Sequence, residues 1–190
     1  MAESLQNAGF EVASVNYPST RGTIGEHADQ LEKVLDRLED THKVSFVTHS
    51  LGGIVVRDLL SRGSAWKTRL TANRLVMLAP PNRSSLVAEV LMDWFPFQVV
   101  AGESGKELTP DGVAKVPGPT CSFGVIAGGK GTDKGFNGLL GGDNDGTVLV
   151  ENTRLPSAAD FLLVDSLHSF IMDNDRTIQS TIRFLKEGKF

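Results

Sequence analysis

One heptapeptide restricts the architecture of this chain more than any other: Val47-Thr48-His49-Ser50-Leu51-Gly52-Gly53. The apolar run Val44 to Thr48 has the length and β-branched content of a buried strand, and Gly52 to Leu60 has the apolar content of a helix. Strand and helix are therefore joined directly through Ser50. So sharp a turn tolerates little bulk, because the helix packs close to the strand it leaves. The serine hydroxyl is then held above the strand ends, and the Leu51 backbone N–H points to where an oxyanion would form. The usual form of this turn is G-x-S-x-G; here Thr48 stands at its first position. The plainer alternative is that Ser50 only caps the helix, since serine is a favoured N-cap. An apolar strand, a histidine and two glycines around it favour the nucleophile.

The rest of the chain alternates between the two periods. Met1 to Gly9 reads as a short helix, Phe10 to Val15 as a strand, Ala28 to Glu39 as an amphipathic helix, and Arg74 to Leu78 as a strand stopped by Ala79-Pro80-Pro81. Leu86 to Phe97 is apolar and helical in pattern, and Gly102 to Pro119 reads as loop. Ser122 to Ala127 and Phe161 to Val164 are further strands, separated by the glycine-rich stretch Gly128 to Gly146. Asn174 to Lys186 is the last helix. Alternating strands and helices specify an α/β fold, a mostly parallel sheet with helices on both faces. With 190 residues and no internal boundary, the chain reads as one domain (1–190), with 81–119 as a cap or lid insertion.

Composition removes several function classes. A formal net charge of −4 without a Lys/Arg cluster argues against a nucleic-acid partner. The single cysteine, Cys121, rules out an intramolecular disulfide and any multi-cysteine metal site, and reads as a buried or loop thiol. No apolar run approaches the ~18 residues of a transmembrane span. Met1 to Phe10 has neither the basic start nor the apolar centre of a signal peptide, so the expected location is cytoplasmic.

With THSLGGIVVRDLL at 48–60, LAPPNRSS at 78–85, GDNDGTV at 142–148 and SLHSF at 166–170, the chain resembles the α/β-hydrolase family, particularly its bacterial lipase-like and esterase-like branch. The resemblance spans nearly the whole chain and implies a serine, acid, histidine order for the catalytic groups. Of the four histidines, His42 falls on the amino edge of the sheet, away from the serine. His49 adjoins Ser50, with its side chain expected to point away from the hydroxyl. His168 lies beyond the final strand, on the carboxyl edge where α/β sheets bind ligands, and is last in order. It is the expected base, with His27 in reserve. The family pattern G-x-x-D-x-x-V aligns with Gly142, Asp145 and Val148, which makes Asp145 the expected acid and Asp143 the second choice.

Two rival motifs fail on inspection. A calcium loop with Gly146 at its glycine position would put Gly141 and Asn152 where carboxylates are required. A phosphate-binding loop over Gly124 to Gly131 lacks the Ser or Thr after Lys130.

The resemblance also implies a strand that ends in a His-Gly loop, the donor of a second oxyanion N–H. No His-Gly pair occurs in the sequence. The expectation is that Phe10–Val15 closes directly onto Val44–Thr48, that Leu51 serves with an unusual second donor, and that a homo-oligomer could shield the exposed edge. The expected reaction is hydrolysis of a small-molecule ester through an acyl-enzyme on Ser50, with no metal or organic cofactor. Leu86, Val87, Val90, Leu91, Trp94, Phe95 and Phe97 could form an acyl-binding wall, or simply pack on the core. A thioesterase or amidase with the same triad, and a catalytically silent binding protein, are the other classes left open.

Overall fold

The computed structural model of the chain describes residues 1–16, 22–39, 41–83 and 110–190. Their apolar runs become parallel strands β1 (Lys43–His49), β2 (Thr71–Leu78), β3 (Ser122–Gly129) and β4 (Asp160–Asp165), in that spatial order. Because alternate residues of a strand face opposite ways, each strand feeds two cores. Leu75 and Met77 of β2, with Phe123 and Val125 of β3, meet one face. That face is covered by α2 (Ile24–Asp36) through Ala28 and Leu35, and by α3 (Gly52–Ser61) through Ile54, Leu59 and Leu60. Val76, Leu78, Ile126 and Val164 meet the other face. There the cover is Leu5 of α1 (Ala2–Asn7) and Phe184 and Leu185 of the last helix, Asp175–Glu187. The expected α/β architecture, a parallel sheet with helices on both faces, is the one observed.

Helix ends follow local chemistry. The second helix starts at Ile24, ahead of the expected Ala28, because Thr23 and Glu26 form a capping box: the Thr23 Oγ1 accepts from the Glu26 N–H at 3.1 Å and the Glu26 Oε2 accepts from the Thr23 N–H at 2.8 Å. Asn174 caps the last helix by accepting from the Thr177 N–H, and Gly188, at φ 83°, ends it.

Three expectations are corrected. The segment Phe10–Val15 forms no strand and does not close onto β1. The Phe10 N–H bonds to Leu5 O, tying the segment to α1, and Phe10 and Val12 pack against the core on that face. Among the described residues β1 therefore pairs with β2 alone. Within the stretch expected as loop, Pro110–Lys115 forms a short helix, α4, with proline at its first position, where its missing N–H is no loss. Between β3 and β4, Val150–Thr153 adds a further turn of helix, α5, so Asp175–Glu187 is α6. The apolar stretch with Leu86, Val87, Val90, Leu91, Trp94, Phe95 and Phe97, and with it most of the expected 81–119 cap, lies outside the described residues. No described helix is long and apolar enough to cross a membrane.

Arg57, on the buried side of α3, ties together the segments at either end of that stretch. Its guanidinium donates to Asn82 Oδ1 at 3.0 Å, to Pro117 O at 3.1 Å and to Val116 O. Burial pulls its pKa down to about 10, so it stays charged, and carbonyl and amide oxygens balance it. Arg57→Leu would strand those acceptors and is expected to lower stability by about 3 kcal/mol, read from the urea midpoint. An unchanged midpoint would mean that water serves them equally well.

Candidate active site

The strand-to-helix turn is as sharp as its sequence requires. Ser50 has φ 52°, a left-handed conformation that costs a non-glycine residue energy and clusters at functional sites. Its N–H bonds to Leu78 O at 2.9 Å, extending the β1–β2 ladder past the end of β1. The helix then lies so close to β2 that a Cβ on Gly53 would stand 3.1 Å from the Pro80 Cβ and 3.3 Å from the Met77 Sδ. The simple capping role does not hold: Leu51 is the N-cap of α3, and no side chain caps it.

The partner groups are assembled at the end of β3, where two consecutive glycines present bare backbone on opposite faces. A Cβ on Gly128 would stand 2.8 Å from the Asp145 Cβ and 2.6 Å from Ser166 O. A Cβ on Gly129 would stand 2.8 Å from the Asp143 Oδ2. Each aspartate thus seats against one glycine, and their roles diverge. The Asp143 carboxylate accepts from the Lys130 and Gly131 N–H groups, at 2.9 Å each, and closes the turn after β3. The Asp145 Oδ1 accepts from the Thr147 N–H at 3.0 Å and the Val148 N–H at 2.7 Å, while its Oδ2 lies 2.7 Å from the His168 Nδ1. Both members of that pair are buried. A carboxylate can only accept, so Nδ1 donates the hydrogen in this bond; in the neutral ring that tautomer makes Nε2 the acceptor. The main chain repeats the pairing, since the His168 N–H donates to Asp145 O at 2.9 Å.

His168 opens a 3₁₀ turn, His168–Asp173, rather than sitting in open loop. A further neighbour is His49, expected to point away from the Ser50 hydroxyl: its ring centroid lies 4.7 Å from that of His168, and its Nε2 is 3.0 Å from His168 O. Strand parity is the signal that would have found it. Val47, two residues earlier on β1, packs into the α1/α6 core, so His49 faces the side on which the His168 turn lies. Desolvation first, then the neighbouring His168, lowers the His49 pKa to about 4. The reserve histidine, His27, is buried near the start of α2, and His42 is exposed at the amino end of β1. The expected acyl-wall residues Leu86, Val90, Leu91, Trp94 and Phe95 lie outside the described residues. Two apolar side chains that sequence reasoning passes over, Leu167 and Phe170, flank His168 and are solvent-exposed.

No protein-family model and no curated protein matches the sequence. Solved structures do. The mature form of lipase BlEst2 from Bacillus licheniformis aligns with a TM-score of 0.79 at 20% identity, over 97% of this chain and 83% of that one. The metagenomic carboxyl esterase MGS0156 aligns with a TM-score of 0.68 at 18% identity, over 90% of this chain and 58% of that one. Phospholipase PlaB from Legionella pneumophila aligns with a TM-score of 0.69 at 17% identity, over 97% of this chain and 53% of that one. The chain thus spans most of the first and little more than half of the other two. Its fold is the α/β-hydrolase fold.

Two outcomes follow from this geometry. Gly128→Ala forces a Cβ into Ser166 O and the Asp145 Cβ, both part of the packed site. It is expected to destabilise the chain by about 2 kcal/mol or more in a urea melt, whereas Gly138→Ala, which would meet nothing within 4 Å, stays within about 0.5 kcal/mol. Equal midpoints would show that the β3 end can give way. The second concerns pH. His49 is depressed from 6.5 to about 4, so the unfolded chain takes up this proton first. Its contribution to stability is complete above about pH 6.5 and is lost as pH falls toward 4. His49→Phe is expected to flatten that part of the stability–pH curve, measured as urea midpoints across the range; the same slope in both proteins would contradict the assignment.

Proposed function

We propose that this α/β-hydrolase-fold chain is a carboxylic ester hydrolase, an esterase or lipase, working through Ser50, His168 and Asp145. The observation that carries the reading is the buried Asp145–His168 pair, at 2.7 Å, on the same sheet edge as a serine held at φ 52°. A histidine oriented by a buried carboxylate, on the sheet edge that also carries a serine in a strained turn, is the combination that can activate a hydroxyl. The lipase and esterase names of the structural neighbours agree with it.

In the mechanism, the Ser50 Oγ attacks the ester carbonyl carbon while the His168 Nε2 takes the hydroxyl proton. Asp145 accepts the Nδ1–H bond throughout and stabilises the imidazolium. The oxyanion faces the Leu51 N–H, at the N-cap of α3 and outside that helix's own bonding pattern. Collapse of the tetrahedral adduct breaks the bond to the alkoxy oxygen, which leaves as the alcohol with the proton from His168. Water then attacks the acyl-Ser50 ester, His168 accepts its proton, and the same proton returns to the Ser50 Oγ as the carboxylic acid departs. The 81–119 segment, with Leu86, Val90, Leu91, Trp94 and Phe95, would supply the acyl-binding wall or cap. Asp143 serves the loop instead of the base: it seats against Gly129, on the opposite face from Gly128 where Asp145 meets His168, and its carboxylate accepts from the Lys130 and Gly131 N–H groups. A thioesterase or amidase would use the same three groups, and a panel of esters, thioesters and amides separates them.

The test is labelling with a fluorophosphonate probe and mass mapping of the adduct. Wild type is expected to carry the adduct on Ser50 and Ser50→Ala none. Asp145→Asn should react about 10³–10⁴-fold more slowly, because the amide favours the wrong imidazole tautomer, while Asp143→Asn should lose far less. A folded chain that takes up no probe would overturn the enzyme reading in favour of a catalytically silent binding protein.

A further inference from the structure

We infer that His49, the residue before the nucleophile, is a positioning residue for His168: it clamps the base from behind as a neutral hydrogen-bond donor. The inference rests on the reading of Ser50, His168 and Asp145 just given. Three observations support it. First, the His49 Nε2 lies 3.0 Å from His168 O, and a carbonyl can only accept, so Nε2 carries the hydrogen and donates. Second, the two rings are tilted at 45° with centroids 4.7 Å apart, so His49 also walls one side of the imidazole. Third, His49 belongs to β1 and to the same turn as Ser50. One rigid element therefore holds both the nucleophile and, through this bond, the loop that carries the base.

Without His49, the His168 turn would be fixed to the acid loop by the Asp145 contacts but would lack this tie to the nucleophile strand. Neutrality matters to the same end. The ionisable groups acting on His49 are His168 and Asp145, and burial outweighs both. A second imidazolium so close would oppose the one that His168 must become during proton transfer. A neutral donor orients the base without competing for its proton.

The test separates the donor from the ring. His49→Phe keeps an aromatic wall and removes the N–H; His49→Gln removes the ring and keeps an N–H of similar reach. In the full chain, with folding checked by circular dichroism and thermal melts, fluorophosphonate labelling and kcat and KM on a p-nitrophenyl ester are measured across pH. His49→Phe is expected to lose about tenfold in kcat and in labelling rate with KM unchanged, and His49→Gln to recover most of that loss. Wild-type rates in His49→Phe, or rates in His49→Gln as low as in His49→Phe, would overturn the inference. If His49→Phe fails to fold, His49→Gln alone decides: near-wild-type kcat supports the donor role, and a tenfold loss refutes it. Absence of labelling in the wild type would count against ester hydrolysis instead. The His49 contact is then judged by ¹⁵N NMR at neutral pH, where an Nε2–H tautomer supports it and an Nδ1–H or mixed signal overturns it.

Discussion

The site depends on two side chains that are not there. At the end of β3 the chain offers Gly128 and Gly129, and because successive residues of a strand face opposite ways, each clears one side of the sheet. Asp145 seats against the first and Asp143 against the second, so closely that a Cβ at either glycine would force its neighbours to shift. Ser166 O, just past β4, borders the same bare position at Gly128. The acid loop and the loop leading to His168 therefore close over one point of backbone. The 2.7 Å contact between Asp145 and His168 is a consequence of that closeness. Two strands meet at their carboxyl ends with nothing between them, so a carboxylate carried by one loop can reach an imidazole carried by the next.

Closeness alone would not hold a carboxylate still in a segment so rich in glycine. Asn144 does that. Fully buried between the two aspartates, it accepts from the Asn137 and Gly146 N–H groups through Oδ1. Its Nδ2 donates to the carbonyls of Lys134, Asn137 and Gly142. Gly135, at φ 56°, lets the outer loop fold against it, since a Cβ there would stand 2.3 Å from the Asn144 N. One amide thereby replaces the hydrogen bonding that regular structure would have provided. The aspartate next to it is delivered in a fixed orientation, which is what the stabilisation of an imidazolium proposed for His168 requires.

Sequence reasoning reaches the parts of this arrangement that local rules govern. The turn at Ser50, the β1 to β4 strands and the last helix are readable because apolar period and glycine position are properties of a short window. The preference for Asp145 and His168 comes from order along the chain and from a resemblance, and the structure brings those two side chains together. What stays hidden depends on long-range packing. Phe10–Val15 has strand composition, but its contacts with α1 and α6 decide its fate, and no window of sequence contains them. The pattern within GDNDGTV favours Asp145 over Asp143, but the physical reason for their division of labour, which face each loop residue meets at β3, is set by long-range packing. His49 differs again: adjacency to Ser50 suggests only a side chain turned away from the hydroxyl, and it is strand parity with Val47 that sends it toward the His168 turn.

Ser50 follows a strand that, among the described residues, is paired on one side, and the hydrogen bonds show how it is fixed from that side. The Ser50 N–H reaches across to Leu78 O on β2, and α3 is pressed onto the same strand at Gly53. From α3, Arg57 donates to Asn82 just beyond β2, and the Asn82 Nδ2 donates to Thr153 O at the end of α5. At the other end of α5, the Val150 N–H donates to Asp143 O, the residue that braces the acid loop. The strained serine and the acid loop are thus linked by an unbroken series of packed backbone and buried polar contacts, although 95 positions (145 − 50) separate Ser50 from Asp145. A φ of 52° at Ser50 persists only where its surroundings over-determine it. Here the surroundings that do so run on into the loop whose Asp145 meets His168. Backbone strain at Ser50 and order at Asp145 are therefore two aspects of one packing arrangement, anchored on the β2 side of the sheet.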